Sequence, residues 1–176
     1  MNIDVLAVHA AKESTCIAEW LPGTMGYDAL MQKGKAAIEF AKQNGEIMHI
    51  FFVWLQGESD AILGITKQEY KEKLLLLNRS LREDLSVECF GIIRVGHFTK
   101  DKRDLEIIGA QSEVCQQENS FFMLTEVSTE LNQQEEYMNP HVEGHYSAKG
   151  LEVLGTLSGK AFAAYRNELV KGIRFS

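Results

Sequence analysis

Two short stretches concentrate the side chains able to do chemistry. The first is Trp54-Leu55-Gln56-Gly57-Glu58-Ser59-Asp60, directly after the apolar run Ile50 to Val53. A glycine lets the backbone approach a ligand, Gln56 offers amide N–H donors, and Glu58 and Asp60 bring two carboxylates. A plainer reading stands beside this one, in which Gly57 makes a turn and the two acids favour the next helix start through its dipole. The second stretch is Asn139-Pro140-His141-Val142-Glu143-Gly144-His145-Tyr146. An imidazole just ahead of a helix N-terminus suits general-base work in its neutral form, although a loop histidine also serves as an ordinary surface or hydrogen-bonding residue. His9, His97, His141 and Glu143 are further candidates without metal-ligand spacing. Pro140 and Gly144 speak against the helix that His141 and His145 would need to share a zinc ion. Ser14, Ser59 and Ser147 offer hydroxyls, none of them on a sharp strand-to-helix turn.

These residues need a scaffold. Four apolar or β-branched runs, Ile3 to His9, Ile47 to Trp54, Val87 to Val95 and Ser120 to Thr125, alternate with helical patterns, which predicts a parallel sheet covered by helices. Leu30, Ala37, Ile38 and Ala41 return at helical spacing over Tyr27 to Gln43, with Asn44-Gly45 as a stop. Thr66-Lys67-Gln68-Glu69 reads as a capping box before an apolar face of Tyr70, Leu74, Leu77, Leu81 and Leu85. A further helix is expected over Asp101 to Gln117. Ser147 is placed to cap a last helix that buries Leu151, Leu154, Ala161, Phe162 and Tyr165. This order gives a three-layer α/β fold with right-handed crossovers, whose ligands bind beyond the carboxyl ends of the strands. The loops from Ala10, Leu55, Gly96 and Glu126 are the ones to search.

With 176 residues the chain fits one domain, and 45% hydrophobic with 24% charged residues is ordinary globular composition. A net charge of −7 leaves no basic excess for phosphates, so nucleic acid and anionic membrane are not expected partners. No apolar run reaches the roughly 18 residues that span a bilayer, and the start lacks a basic, cleavable leader, so a cytoplasmic protein is expected. Cys16, Cys89 and Cys115 are expected to be reduced thiols.

The segments Val5 to Lys12, Ile17 to Trp20, Phe52 to Ala61, Tyr70 to Leu85, Ala110-Gln111 and His145 to Gly155, in that order, resemble the sialate O-acetylesterase and acetylxylan esterase branch of the SGNH hydrolases. The Trp-x-Gln-Gly-Glu-Ser-Asp block is the specific part. The resemblance implies a flavodoxin-like αβα fold and a serine esterase that removes acetyl groups from sugars, with no metal and no cofactor. It implies His145 as general base, Gln56, Gly57 and Glu58 as the lining of the oxyanion and substrate side, and Trp20 as a wall of the substrate loop.

The sequence also departs from that family. No Gly-Gln-Ser-Asn turn is present, so the family nucleophile is missing and the chain is expected to start at the family's second strand. Where relatives have a glycine pair, this chain has Lys12-Glu13-Ser14-Thr15, which brings a carboxylate toward a developing negative charge. Val142 stands where an acid would orient His145, leaving that role to Glu143, to a backbone carbonyl, or to nothing. The expected function is therefore an acetyl-sugar esterase with impaired turnover, the alternative being a non-catalytic carbohydrate-binding or interaction module. Loss of a central strand further implies that the strands at Ile3 to His9 and Ile47 to Trp54 pair directly, or that a second chain supplies the strand or covers the exposed face, with a homodimer expected.

Overall fold

The computed structural model describes residues 5–45, 48–99 and 101–170, with side chains of the last helix up to residue 167. Three parallel strands form the sheet in the order β1 (Phe51–Trp54), β2 (Cys89–Ile93) and β3 (Phe121–Thr125). β2 is buried along its whole length, as a central parallel strand covered on both faces must be. The crossovers between strands are helices, α3 (Lys67–Leu85) between β1 and β2 and α4 (Asp104–Gln117) between β2 and β3, and α1 (Met25–Gln43) precedes β1. The last helix, α6 (Ala148–Val170), returns across the sheet.

Two apolar clusters separate the layers. Phe90 and Ile92 point into a core with Leu30 of α1, Tyr70, Leu74, Leu77 and Leu81 of α3, and Ile107 and Val114 of α4. Ile93 and Leu124 point the other way, onto Leu154 of α6. Phe162 of α6 meets Phe51 edge-on at 4.5 Å between ring centres. The expected α3 face is buried at all five positions, and its capping box is present, with Thr66 Oγ1 accepting from Glu69 N–H and Glu69 accepting from Thr66 N–H.

Some expectations need correction. Ile3 and Asp4 lie outside the described residues, but Val5–His9 form no strand, and Val5 is 82% exposed. A strand needs a neighbour for its backbone groups, and β1 is the edge strand of the sheet among the described residues. Glu46 and Ile47 are also outside the described residues, and β1 begins at Phe51 rather than Ile47. Leu151 is exposed instead of buried. Gly150 sets that face, because a Cβ there would stand 2.4 Å from the Tyr137 carbonyl oxygen, and this close approach turns Leu151 outward.

Glu88 N–H donates to Ile50 O at 2.8 Å, which directs the even-numbered backbone groups of β1 toward β2. The amides and carbonyls of Phe51 and Val53 therefore face away from β2, a flank that no strand covers among the described residues. No helix among the described residues is long and apolar enough to cross a membrane, and all three cysteines are free thiols.

Candidate functional site

The Gln56–Asp60 block leaves β1 and turns into a short helix, α2 (Glu58–Leu63), where sequence reading expected a loop. Gly57 makes that turn with φ +149°, a conformation that disfavours a side chain. A Cβ at this position would also sit 2.5 Å from Ile107 Cγ2, so the backbone runs hard against α4. A buried polar knot holds the turn. Tyr70 OH accepts from Trp54 Nε1 at 3.1 Å and donates to the Gln56 carbonyl at 2.9 Å. Gln111 Nε2 donates to the same carbonyl at 2.8 Å and lies 3.2 Å from Tyr70 OH, while its Oε1 accepts from Val95 N–H at 3.0 Å.

The Gln56 side chain closes the knot toward the N-terminal loop. Its Nε2 donates to Thr15 O at 2.9 Å and to Asp60 Oδ2 at 2.6 Å, which occupies both amide hydrogens. Asp60, only 1% exposed, also accepts from Ile17 N–H at 2.9 Å and so anchors the 3-10 turn Ile17–Trp20. Burial pushes its carboxyl above the ordinary value, against the hydrogen bonds from Gln56 and Ile17. Trp20 is 6% exposed, packs edge-on against Trp54 at 6.1 Å, and donates from Nε1 to Thr15 Oγ1. Ser14 is exposed, in a turn with φ +57°.

At the other end of the chain, His145 is held through Nδ1 by the Glu143 carbonyl at 3.0 Å. The Glu143 side chain makes no bond to the ring, and no hydroxyl of a described residue bonds to His145. Tyr146, next in the chain, packs on Ile93, Leu124 and Leu131, which sets this loop at the carboxyl ends of the strands. Burial pushes Glu58 above its ordinary value more than the amides of Glu58 and Gly57 and the nearby imidazole lower it. The cluster that Tyr146 joins includes Leu131 of the short helix α5 (Ser128–Leu131). Ser147 caps α6, accepting from Gly150 N–H at 3.2 Å, as expected. Ser59 is half-buried in α2, and His9 and His141 are exposed.

The loop after β2 adds an imidazole to the same carboxyl edge of the sheet. His97 Nδ1 bonds Asp104 Oδ2 at 3.0 Å, and Asp104 also accepts from Phe98 N–H at 3.1 Å and Thr99 Oγ1 at 2.6 Å. Burial raises the Asp104 carboxyl, but these bonds from Thr99, His97 and Phe98 outweigh it and hold the group below its ordinary value. Asn132 donates to the His97 carbonyl. Gly96 packs so closely on α5 that a Cβ would lie 2.5 Å from Ser128 O.

A family model of carbohydrate esterases, the sialic acid-specific acetylesterases, matches residues 2–164. The chain belongs to this family. No curated protein and no solved structure matches it significantly. The three parallel strands with helices on both faces agree with an SGNH-like fold, and small acetylated sugars fit as the substrate class of this carbohydrate-esterase family.

Among the described residues no group of three His, Cys, Asp or Glu side chains is placed to hold a metal ion. A groove lined by Lys42, Met48, Ile50 and Glu88 opens at the amino ends of the strands, remote from Gln56 and His145. Sequence reading missed Thr15, the Tyr70 hydroxyl and Gln111. Gln111 carried a usable signal, a lone amide on the apolar stripe Ile107, Ala110, Val114. Thr15 and the Tyr70 hydroxyl carried none, since their partners are 41 and 14 positions away.

Proposed function

We propose that this carbohydrate-esterase relative takes an O-acetylated sugar at the carboxyl edge of its sheet, between the Gln56–Asp60 turn and the His145–Tyr146 loop. The observation that supports this reading is the packing of Tyr146 on Ile93, Leu124 and Leu131, which sets the His145–Tyr146 loop at the carboxyl ends of the strands, where the Gln56–Asp60 turn leaves β1. Asp60 and the Gln56 amide are built into the scaffold, where they position the Thr15–Ile17 loop. Hydrolysis through a covalent seryl intermediate is impaired in this chain, because His145 has no hydroxyl to activate and its orienting partner is a carbonyl rather than a carboxylate. Gln56 would need to release Thr15 or Asp60 before it could donate to an oxyanion.

The experiment is a chemical-shift titration with an acetylated sugar and its deacetylated parent. Selective perturbation of Glu58, His145 and Tyr146 by the acetylated form supports the reading. Equal response to both sugars, or none, removes it. Rapid release of 4-nitrophenol from 4-nitrophenyl acetate, lost in His145→Ala, would overturn the impaired-turnover part.

A further inference from the structure

His97 and Asp104 form an imidazole–carboxylate pair that the functional reading above does not use. Asp104 is fully buried at the start of α4, while the His97 side chain is 43% exposed. A carboxylate on Nδ1 selects the tautomer with its proton there, which leaves the Nε2 lone pair as the free end of the ring. His145, in contrast, has only a carbonyl on Nδ1.

The position of the pair is set by rigid contacts. Phe98 and Thr99 add two further bonds to Asp104, so the carboxylate is fixed from three residues of one loop. The loop is pressed on α5 at Gly96 and tied to the end of that helix by Asn132, and α5 in turn carries Leu131, in the apolar cluster on which Tyr146 packs. His97 therefore borders the same corner of the molecule as the His145–Tyr146 loop.

We propose that His97 is the proton-accepting residue for direct attack of water on the acetyl ester bound at this edge, with Asp104 as its positioning residue. The inference rests on the acetyl-sugar reading. In the step, water oxygen bonds to the acetyl carbon as Nε2 takes one of its protons, and the carbonyl π pair moves onto oxygen. Collapse of the tetrahedral intermediate breaks the bond to the sugar oxygen, which takes the proton back from Nε2. Acetic acid and the free sugar hydroxyl result, with no covalent enzyme species and His97 neutral again.

The test uses the full chain and slow acetate release from the acetylated sugar, followed by proton NMR. His97→Gly is expected to lower kcat about 100-fold, the usual lower end for a general base, with KM unchanged. Added imidazole should restore release in that variant, which a merely structural histidine would not allow. Asp104→Asn, which keeps an acceptor oxygen for Phe98, should lower kcat without raising KM. Release that survives His97→Gly, or that imidazole fails to restore, overturns the proposal, as does the absence of any release when the sugar binds. If the sugar does not bind, the acetyl-sugar reading fails, and carbethoxylation by diethyl pyrocarbonate then decides the reactivity of His97. Modification of His97 faster than the exposed His141, and slowed several-fold by Asp104→Asn, supports an activated Nε2. Equal rates at the two histidines overturn it.

Discussion

Replacing Tyr70 by Phe removes one oxygen from the centre of the polar knot and leaves the ring volume unchanged. The hydroxyl takes part in bonds with Trp54 Nε1, Gln111 Nε2 and the Gln56 carbonyl. Gln111 and the Gln56 carbonyl keep each other as partners at 2.8 Å, so their losses are small. Trp54 Nε1–H is left buried with no acceptor, which costs about 1–3 kcal/mol. With about 0.5–1 kcal/mol for the two shared bonds, the total is about 2–4 kcal/mol. For a chain of this length each kcal/mol lowers Tm by about 2–4 °C, so a fall of about 4–16 °C is expected. Circular dichroism melting measures it, and tryptophan emission from the altered Trp54 environment reports the local change. Tyr27→Phe is the control, because its hydroxyl donates to the Asp84 carboxylate at 2.6 Å and takes no part in the knot. A Tyr70→Phe loss of less than 2 °C, or one equal to that control, would refute the claim that this hydroxyl holds the turn.

Gly57→Ala should cost about 2–4 kcal/mol in urea unfolding, from the positive φ and the contact with Ile107. Glu58 has its folded-state value raised above the ordinary 4.5 by burial, so the folded chain holds the proton more tightly and stability falls as pH rises through that window. Glu58→Gln should therefore stabilise the protein at pH 7 and lose this advantage toward pH 4, as read by melting at several pH values. Cys115, pushed up to about 12 by burial, should resist iodoacetamide at pH 8 until denaturant is added, which mass spectrometry of the peptides would show. The open flank of β1 is expected to bring two copies together, and Val53→Pro should prevent it without unfolding, because the Val53 N–H points away from β2. Sedimentation that gives a monomer for the unaltered chain at micromolar concentration would count against the pairing.

What could be read in the sequence was whatever repeats along one element. The α3 stripe from Tyr70 to Leu85 and the alternation of strands with helices follow from local periodicity, and they are present. The chemistry-bearing blocks were also visible, since Gln56–Asp60 and His145 stand at strand-to-helix connections. Their partners were not. Thr15 meets Gln56 through a loop with no periodic pattern, and the His97–Asp104 pair depends on how the loop after β2 folds back on the first turn of α4. The failed strand at Val5–His9 shows the limit of propensity: the residues suit a strand, but a strand requires a neighbouring chain segment.

The knot joins β1, α3, α4 and the loop after β2 at the carbonyl of a single residue, Gln56, and the Gln56 side chain extends it to the N-terminal loop. A segment pinned from so many directions has little freedom left to surrender when a ligand arrives. The ordering cost that a slack loop would charge against affinity has already been met during folding. On the reading proposed above, selectivity at this mouth would depend on the fit of the incoming group to a preset shape rather than on a loop that closes around it.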